Sequence, residues 1–222
     1  KTKIALVNKY GNRLNELEGA AIAVDIFSGE VKAVVGSSSP SKFGFNRSIN
    51  AIRPIGSLVK PFIYLTALNK YEEYTLTTIL DDSKLSVKSA GELWEPNNFD
   101  KQYHGKIPLH EALWQSYNIA SARLGMELGY DSVQDTFNKL GINKPIEKYP
   151  SLFIGSFEMS PFDAIQSYQV IAANGFYSPL RSIRDIEDFK GDLNLSYPYK
   201  IEQRMRPEPL HLLKFAMKQT FI

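Results

Sequence analysis

An α/β fold of the α+β type, an antiparallel sheet with helices packed against it, follows from three features of the 222-residue sequence. Two apolar runs, Ala20-Ala21-Ile22-Ala23-Val24-Asp25 and Val31-Lys32-Ala33-Val34-Val35-Gly36, flank the turn-forming Ser28-Gly29-Glu30 and predict a β-hairpin. Segments of helical pattern, several of them closed by glycine, follow one another through residues 109–173. Beyond them Arg181-Ser182-Ile183-Arg184-Asp185-Ile186 reads as a strand again, and strands at both ends of a helical block place the helices on a sheet.

In chain order, residues 1–18 are polar and mixed, the pattern of a linker or lead-in segment, and the folded domain is expected over residues 19–222. The run at 20–25 predicts a buried strand, with its hairpin partner at 31–36. A helix is expected over 57–69. Its body, Phe62-Ile63-Tyr64-Leu65-Thr66-Ala67-Leu68, is almost wholly apolar, and Pro61, which lacks an N–H, is tolerated only near a helix start. Residues 81–108, around Leu93-Trp94-Glu95-Pro96-Asn97-Asn98, read as a long irregular stretch of the kind that usually serves a function. Helices are then expected over 109–115, 118–128 and 132–140, the last two ended by Gly129 and Gly141, with Asp131 as an N-cap. Ser160-Pro161 opens a helix to about residue 173, Lys190-Gly191-Asp192 is a turn, and Pro207-Glu208-Pro209 opens a final helix that reaches the end of the sequence without a cap. That ending, with a lysine start, reads as a fragment or a processed product.

Composition narrows the function. A 43% hydrophobic and 12% aromatic content supports a folded core, and 26 basic against 24 acidic residues give no general affinity for nucleic acid. The absence of cysteine excludes disulfides, thiolate metal sites and cysteine nucleophiles. His104, His110 and His211 are not at metal-ligand spacing and read as surface or cap residues, so neither metal nor cofactor is expected. No apolar run approaches the ~20 residues that cross a bilayer.

Ser57 and Lys60, in Pro54-Ile55-Gly56-Ser57-Leu58-Val59-Lys60-Pro61, lie one helical turn apart, where a neutral lysine amine can take the proton of a serine hydroxyl. The helix start also offers unpaired N–H groups to an oxyanion. The spacing alone equally suits a capping serine and a solvated lysine, and Ser39-Pro40-Ser41-Lys42 repeats it inside a loop-forming stretch. Ser116-Tyr117-Asn118 sets a hydroxyl and an amide at a helix junction, where a serine can relay a proton and an asparagine can bind a carbonyl, or where Asn118 simply caps the next helix. Ser48-Ile49-Asn50 carries the same pattern.

Taken in order, Arg47-x-x-x-x-x-Arg53-Pro54-Ile55-Gly56-Ser57-x-x-Lys60-Pro61, Trp94-Glu95-Pro96-x-Asn98 and Ala112-Leu113-x-x-Ser116-x-Asn118 closely resemble the transpeptidase domain of class A penicillin-binding proteins. Val24-Asp25-x-x-Ser28-Gly29-Glu30-Val31 is similar to that domain's opening hairpin. Gly155-x-x-Glu158-Met159-Ser160-Pro161 with Tyr168-x-x-Ile171-Ala172-x-x-Gly175 is similar to the helix behind its cleft. The resemblance covers most of the chain and looks strongest toward the type 1b branch of Gram-negative bacteria.

The resemblance implies the penicillin-binding protein and serine β-lactamase-like fold, with Ser57 as acylated nucleophile, Lys60 as general base and Ser116 with Asn118 as the second motif. It places Trp94, Asn98 and Gly56 at the substrate-binding surface, although a lone tryptophan such as Trp94 equally suits an anchor that pins its loop to the core. The implied reaction is D,D-transpeptidation of peptidoglycan stem peptides through an acyl-serine, with β-lactam antibiotics acylating the same serine. The implied setting is a bifunctional synthase at the periplasmic face of the bacterial inner membrane, its membrane anchor upstream and cell-envelope regulatory proteins as partners. The family's third motif, Lys-Thr/Ser-Gly, does not occur in the sequence, so this polypeptide alone is expected to be impaired. Two alternatives share the site: a serine β-lactamase or β-lactam sensor, for which Glu158 is the nearest family-like water-activating residue although it reads as structural, and a non-catalytic peptide-binding scaffold.

Overall fold

The computed structural model describes residues 18–38, 44–89 and 91–221. All but the last residue of the expected lead-in at 1–18, and the Ser39-Pro40-Ser41-Lys42 pattern, therefore lie outside the described residues. The chain is an α+β fold built around one helix. From Val59 to Leu68 every residue is buried, so the helix Lys60–Asn69 is apolar on all sides, the signature of a helix enclosed by others rather than lying on a surface.

The described elements are β1 (Ala21–Val24), β2 (Val31–Val35), α1 (Arg47–Asn50), β3 (Arg53–Pro54), α2 (Lys60–Asn69), β4 (Ile79–Asp81), β5 (Val87–Ser89), β6 (Glu92–Trp94), β7 (Lys106–Pro108), α3 (Leu109–Trp114), α4 (Asn118–Leu128), α5 (Tyr130–Lys139), β8 (Glu158–Met159), α6 (Pro161–Ala172), β9 (Phe176–Tyr177), β10 (Asp185–Glu187), β11 (Leu193–Ser196), β12 (Glu202–Gln203) and α7 (Pro207–Lys218). Helices α4, α5 and α7 pack around α2. The Phe62 ring meets Phe137 edge-on at 5.6 Å and Tyr168 at 5.3 Å. Each fully buried Leu, Ile or Phe of α2 contributes ~1.5–3 kcal/mol, so α2 is held far more firmly than its own helix propensity would hold it.

All ladders among the described residues are antiparallel, but they form six two-stranded pairs rather than one sheet. The hairpin β1–β2 pairs Ala21 with Val35 and Val24 with Val31. Its first strand is not buried as expected. Exposed and half-buried residues alternate along it, because α6 covers one face while Val34 and Val35 of β2 stay exposed. Ser48 explains its own pattern, being buried with its hydroxyl donating to Ala21 and Val35 carbonyls, so it pins α1 to this hairpin.

Three further expectations are corrected. Residues 81–108 are not irregular throughout: β4 pairs with β7 across their ends and β5–β6 forms a hairpin between. Helix α5 starts at Tyr130 with Gly129 as its N-cap, so Asp131 sits in the first turn and complements the helix dipole instead of capping it. The strand expected over 181–186 begins only at Asp185, Arg181 contributing a single bridge to Glu30. By contrast, Ser160 caps α6 in a reciprocal capping box with Asp163, as its position before Pro161 predicts.

The turn that delivers Ser57 is strapped to a distant segment. Ile55 N–H donates to Phe157 O at 2.9 Å, Gly56 N–H donates to Gly155 O at 3.0 Å, and β3 pairs with β8. Gly155 has φ +113°, and a Cβ there would meet Gly56 Cα at 2.2 Å, so two backbones touch where no side chain fits. Gly155→Ala is expected to cost about 2–4 kcal/mol in urea denaturation, by clash and backbone strain together. Gly191→Ala, at a positive φ facing open space, is expected to cost only about 1 kcal/mol.

Candidate active site

Gly56 has φ +57° and opens a short 3₁₀ turn, Gly56–Val59, that runs directly into α2. Ser57 lies in this turn with its side chain exposed, and its carbonyl accepts from Lys60 N–H. Lys60 is the first residue of α2 and is only 1% exposed. Pro61 follows within the first helical positions, where its missing N–H costs nothing. Ser57 and Lys60 share a cleft of about 330 Å³ lined also by Leu58, Trp114, Ser116 and Tyr168.

The Lys60 ammonium points away from solvent into three acceptors. Nζ donates to Ser116 O at 2.5 Å, to Ser116 Oγ at 2.9 Å and to Asn118 Oδ1 at 2.7 Å, which matches the three donors of a charged lysine. Burial nonetheless disfavours the charge, pushing the amine down from 10.5 to about 8, while the charge of Asp82 acts in the opposite direction. At pH 7 roughly one molecule in ten then carries a neutral amine, a far larger fraction than an exposed lysine supplies.

The acceptors are where they are because the α3–α4 junction is bent sharply. Ser116 is one of three described non-glycine residues with positive φ, at +58°, a left-handed conformation that costs of order 1–3 kcal/mol and persists only where its surroundings impose it. Here Ser116 N–H donates to Leu113 O and Tyr117 N–H to Ala112 O, and the bend turns both the carbonyl and the hydroxyl of Ser116 toward Lys60. Tyr117 is the extended N-cap of α4, so Asn118 is its first helical residue rather than its cap. Asn118 Nδ2 donates to Asn97 O, which holds Oδ1 toward the lysine.

A buried polar layer lies beneath. Asn98 Oδ1 accepts from Asn118 N–H at 2.7 Å and Ile119 N–H at 3.3 Å, and its Nδ2 donates to Asp82 Oδ2 and Gln102 O. Asp82 is fully buried and also accepts from Ala120 N–H and His104 N–H. The His104 ring bridges Asp82 and Asp100 and stacks on Tyr117 at 4.0 Å.

Ser57, Lys60 and Ser116 are thus gathered at one cleft, with Asn118 joined to them through Lys60. Asn98 departs from the expected substrate contact: it is buried, and its amide is used inside the protein. Trp94 departs likewise, lying on β6 and packing against the small cluster of Leu85, Ile119 and Ala122 instead of lining the cleft. Gly56 serves the turn. Glu158 is exposed on β8 and does not line the cleft that holds Ser57. Sequence reasoning missed Asp82, His104 and Trp114 as members of the site and gave Tyr168 only as part of the helix behind the cleft. Only the Trp114 position, two residues before Ser116, carried a local hint. Among the described residues no cluster of acidic and histidine side chains is placed to hold a metal.

A family model described as the penicillin binding protein transpeptidase domain matches residues 19–220. The chain is 44% identical over 206 residues to penicillin-binding protein 1B of Vibrio cholerae, covering 92% of this chain and 26% of that protein. It is 37% identical to penicillin-binding protein 1B of Escherichia coli over 218 residues, 96% of this chain and 26% of the relative. It therefore spans about a quarter of the length of these curated relatives. Among solved structures it superposes on penicillin-binding protein 1A from Haemophilus influenzae with a TM-score of 0.84 at 25% identity, covering 91% of this chain and 35% of that one. PonA1 from Mycobacterium tuberculosis, at a TM-score of 0.78 and 21% identity over 98% of this chain and 60% of that one, shares the fold.

The two tryptophans are expected to separate. Trp94→Ala should lower stability by about 2 kcal/mol by emptying part of the small cluster, read as a fall in melting temperature. Trp114→Ala should leave the melting temperature nearly unchanged and reduce binding in the cleft, measured by titration with a stem-peptide mimic.

Proposed function

The chain belongs to the penicillin-binding protein transpeptidase family, and we propose that it supplies the acyl-transfer site of a peptidoglycan D,D-transpeptidase within a bifunctional cell-wall synthase at the periplasmic face of the inner membrane. One observation carries this reading: a buried lysine, held low enough to be partly neutral, bonded to one serine and one helical turn from another. Ser57 Oγ attacks the penultimate D-alanyl carbonyl of a stem peptide while the neutral Lys60 amine takes its proton. Nζ, now an ammonium, passes a proton through Ser116 Oγ to the departing nitrogen, and the terminal D-alanine leaves. An amine of a second stem then attacks the ester, returns its proton by the same route and frees Ser57.

Asn118 has one amide proton on Asn97 O and its Oδ1 on Lys60, leaving its second amide proton for the donor's peptide carbonyl. The Ser57 N–H, which lies between the paired N–H groups of Gly56 and Leu58, is the backbone donor available to the developing oxyanion. A β-lactam ring, an amide strained toward the same geometry, acylates Ser57 in the substrate's place. No carboxylate is among the described residues lining the cleft, which favours a persistent ester over the rapid hydrolysis of a β-lactamase.

In the full-length protein, intact-mass spectrometry with benzylpenicillin is expected to show one stable adduct, absent from Ser57→Ala. An adduct in that variant, or one hydrolysed within seconds, overturns the reading. Lys60→Ala should slow acylation by about 10²–10⁴-fold. The neutral amine is the reactive form, so the acylation rate should rise with pH and level off above about 8. A flat profile removes Lys60 as the base.

A further inference from the structure

Beyond its local hydrogen bonds, the constraints on the Ser116-Tyr117-Asn118 bend lead back to one carboxylate. Asp82 Oδ1 accepts from Ala120 N–H at 3.0 Å, in the first turn of α4. Its Oδ2 accepts from Asn98 Nδ2 at 2.6 Å, and Asn98 in turn holds the N–H groups of Asn118 and Ile119. The same oxygen lies 2.9 Å from His104 Nδ1, and the His104 ring covers Tyr117. Three consecutive N–H groups of α4 and the central ring of the bend are therefore tied to a side chain that is itself 0% exposed. No lysine or arginine is ion-paired with Asp82 among the described residues, and its charge acts on that of Lys60.

We propose that Asp82 is a positioning residue of the acyl-transfer site: its buried carboxylate holds Ser116 and Asn118 against Lys60 and supplies the negative charge against which Lys60 is balanced. A negative charge in a poorly solvated layer is strengthened by its surroundings and favours the ammonium, opposing the desolvation of Lys60. The site thereby acquires a lysine that is neither a permanent cation nor a permanent amine, as one that must accept and return a proton in each cycle requires. The other ionisable groups around the cluster do not compete for this role. Burial pushes the hydroxyls of Tyr64, Tyr117 and Tyr168 upward, Glu111 and Asp100 act on Tyr117, and the His104 ring joins Asp82 to Asp100.

This inference rests on Lys60 acting as base for Ser57, and its test keeps the two apart. Second-order acylation by benzylpenicillin is measured from pH 5.5 to 9.5 in the full-length protein, with the folded fraction from thermal melting on the same preparations. Asp82→Asn keeps the shape and removes the charge. Its acid limb is expected to move to lower pH, because Lys60 loses its proton more readily, and its plateau should fall by about tenfold or more as the bend loosens. Asp82→Glu keeps the charge and misplaces it, so the limb should stay near the wild-type pH while the plateau falls. A limb unmoved in Asp82→Asn, or rates that track only the folded fraction, overturns the proposal. Where the Asp82 variants do not fold, Asn98→Ala, which leaves the carboxylate in place, is expected to lower the plateau at an unchanged midpoint, and a wild-type plateau there overturns it equally. Absence of any adduct in the parent protein would instead bring down the acyl-transfer reading and this inference with it.

Discussion

The burial of one ammonium group governs this structure. Lys60 begins the helix that forms the core, so its side chain is only 1% exposed, and the protein answers with three oxygen acceptors supplied from a junction more than fifty residues away. A buried charge without such partners would cost several kcal/mol. The partners are therefore part of what lets α2 begin where it does. Because α2 is apolar on all sides and packed by α4, α5 and α7, the lysine cannot drift, and neither can the serine one turn before it.

The acceptors come with a cost of their own. Ser116 reaches the lysine with both its oxygens only from a left-handed conformation, and the energy stored there is offset by the polar layer of Asp82, Asn98 and His104 beneath the bend. This layer is short of alternatives, since Asn98 and Asp82 are buried and fully engaged. The loop between β4 and β7 thus acts as a rigid support, although its outer hairpin is exposed. The cleft is consequently stiff around the buried Lys60 and open at the exposed Ser57.

Much of this was legible from local sequence. The turn of Ser57 and Lys60 needed only Pro61 and an apolar run, the helix ends at Gly129 and at Ser160-Pro161 follow from backbone chemistry, and the order of motifs identified the fold. What escaped was set by contacts distant in sequence. Asp82, in Asp81-Asp82-Ser83, has the appearance of a surface turn, and only the packing of α4 over it removes it from water. Asn98 looked like a substrate contact because its motif neighbours the cleft, yet the direction of its side chain depends on where Asn118 N–H falls. Trp94 and Trp114 could not be told apart for the same reason: an indole on a two-residue-period strand and one on a helix end look alike until the cluster of Leu85, Ile119 and Ala122 is assembled. Strands of two to five residues carry too little alternation to announce their pairing, which is why one expected sheet resolved into six separate ladders.

The contact between Gly56 and Gly155 also fixes an order of events. The turn holding Ser57 takes its shape from a segment about a hundred residues further along the chain, and closing so long a loop delays a contact relative to the local helices on either side. During synthesis, Ser57 and Lys60 leave the ribosome well before the strap that orients them and before the bend at Ser116. A partly made chain can therefore hold Ser57 and Lys60 side by side in sequence without holding them in the arrangement of the finished site. The geometry proposed for acyl transfer is thus completed late in folding, after the core around α2 has closed, and a chain that has not reached that point presents only its parts.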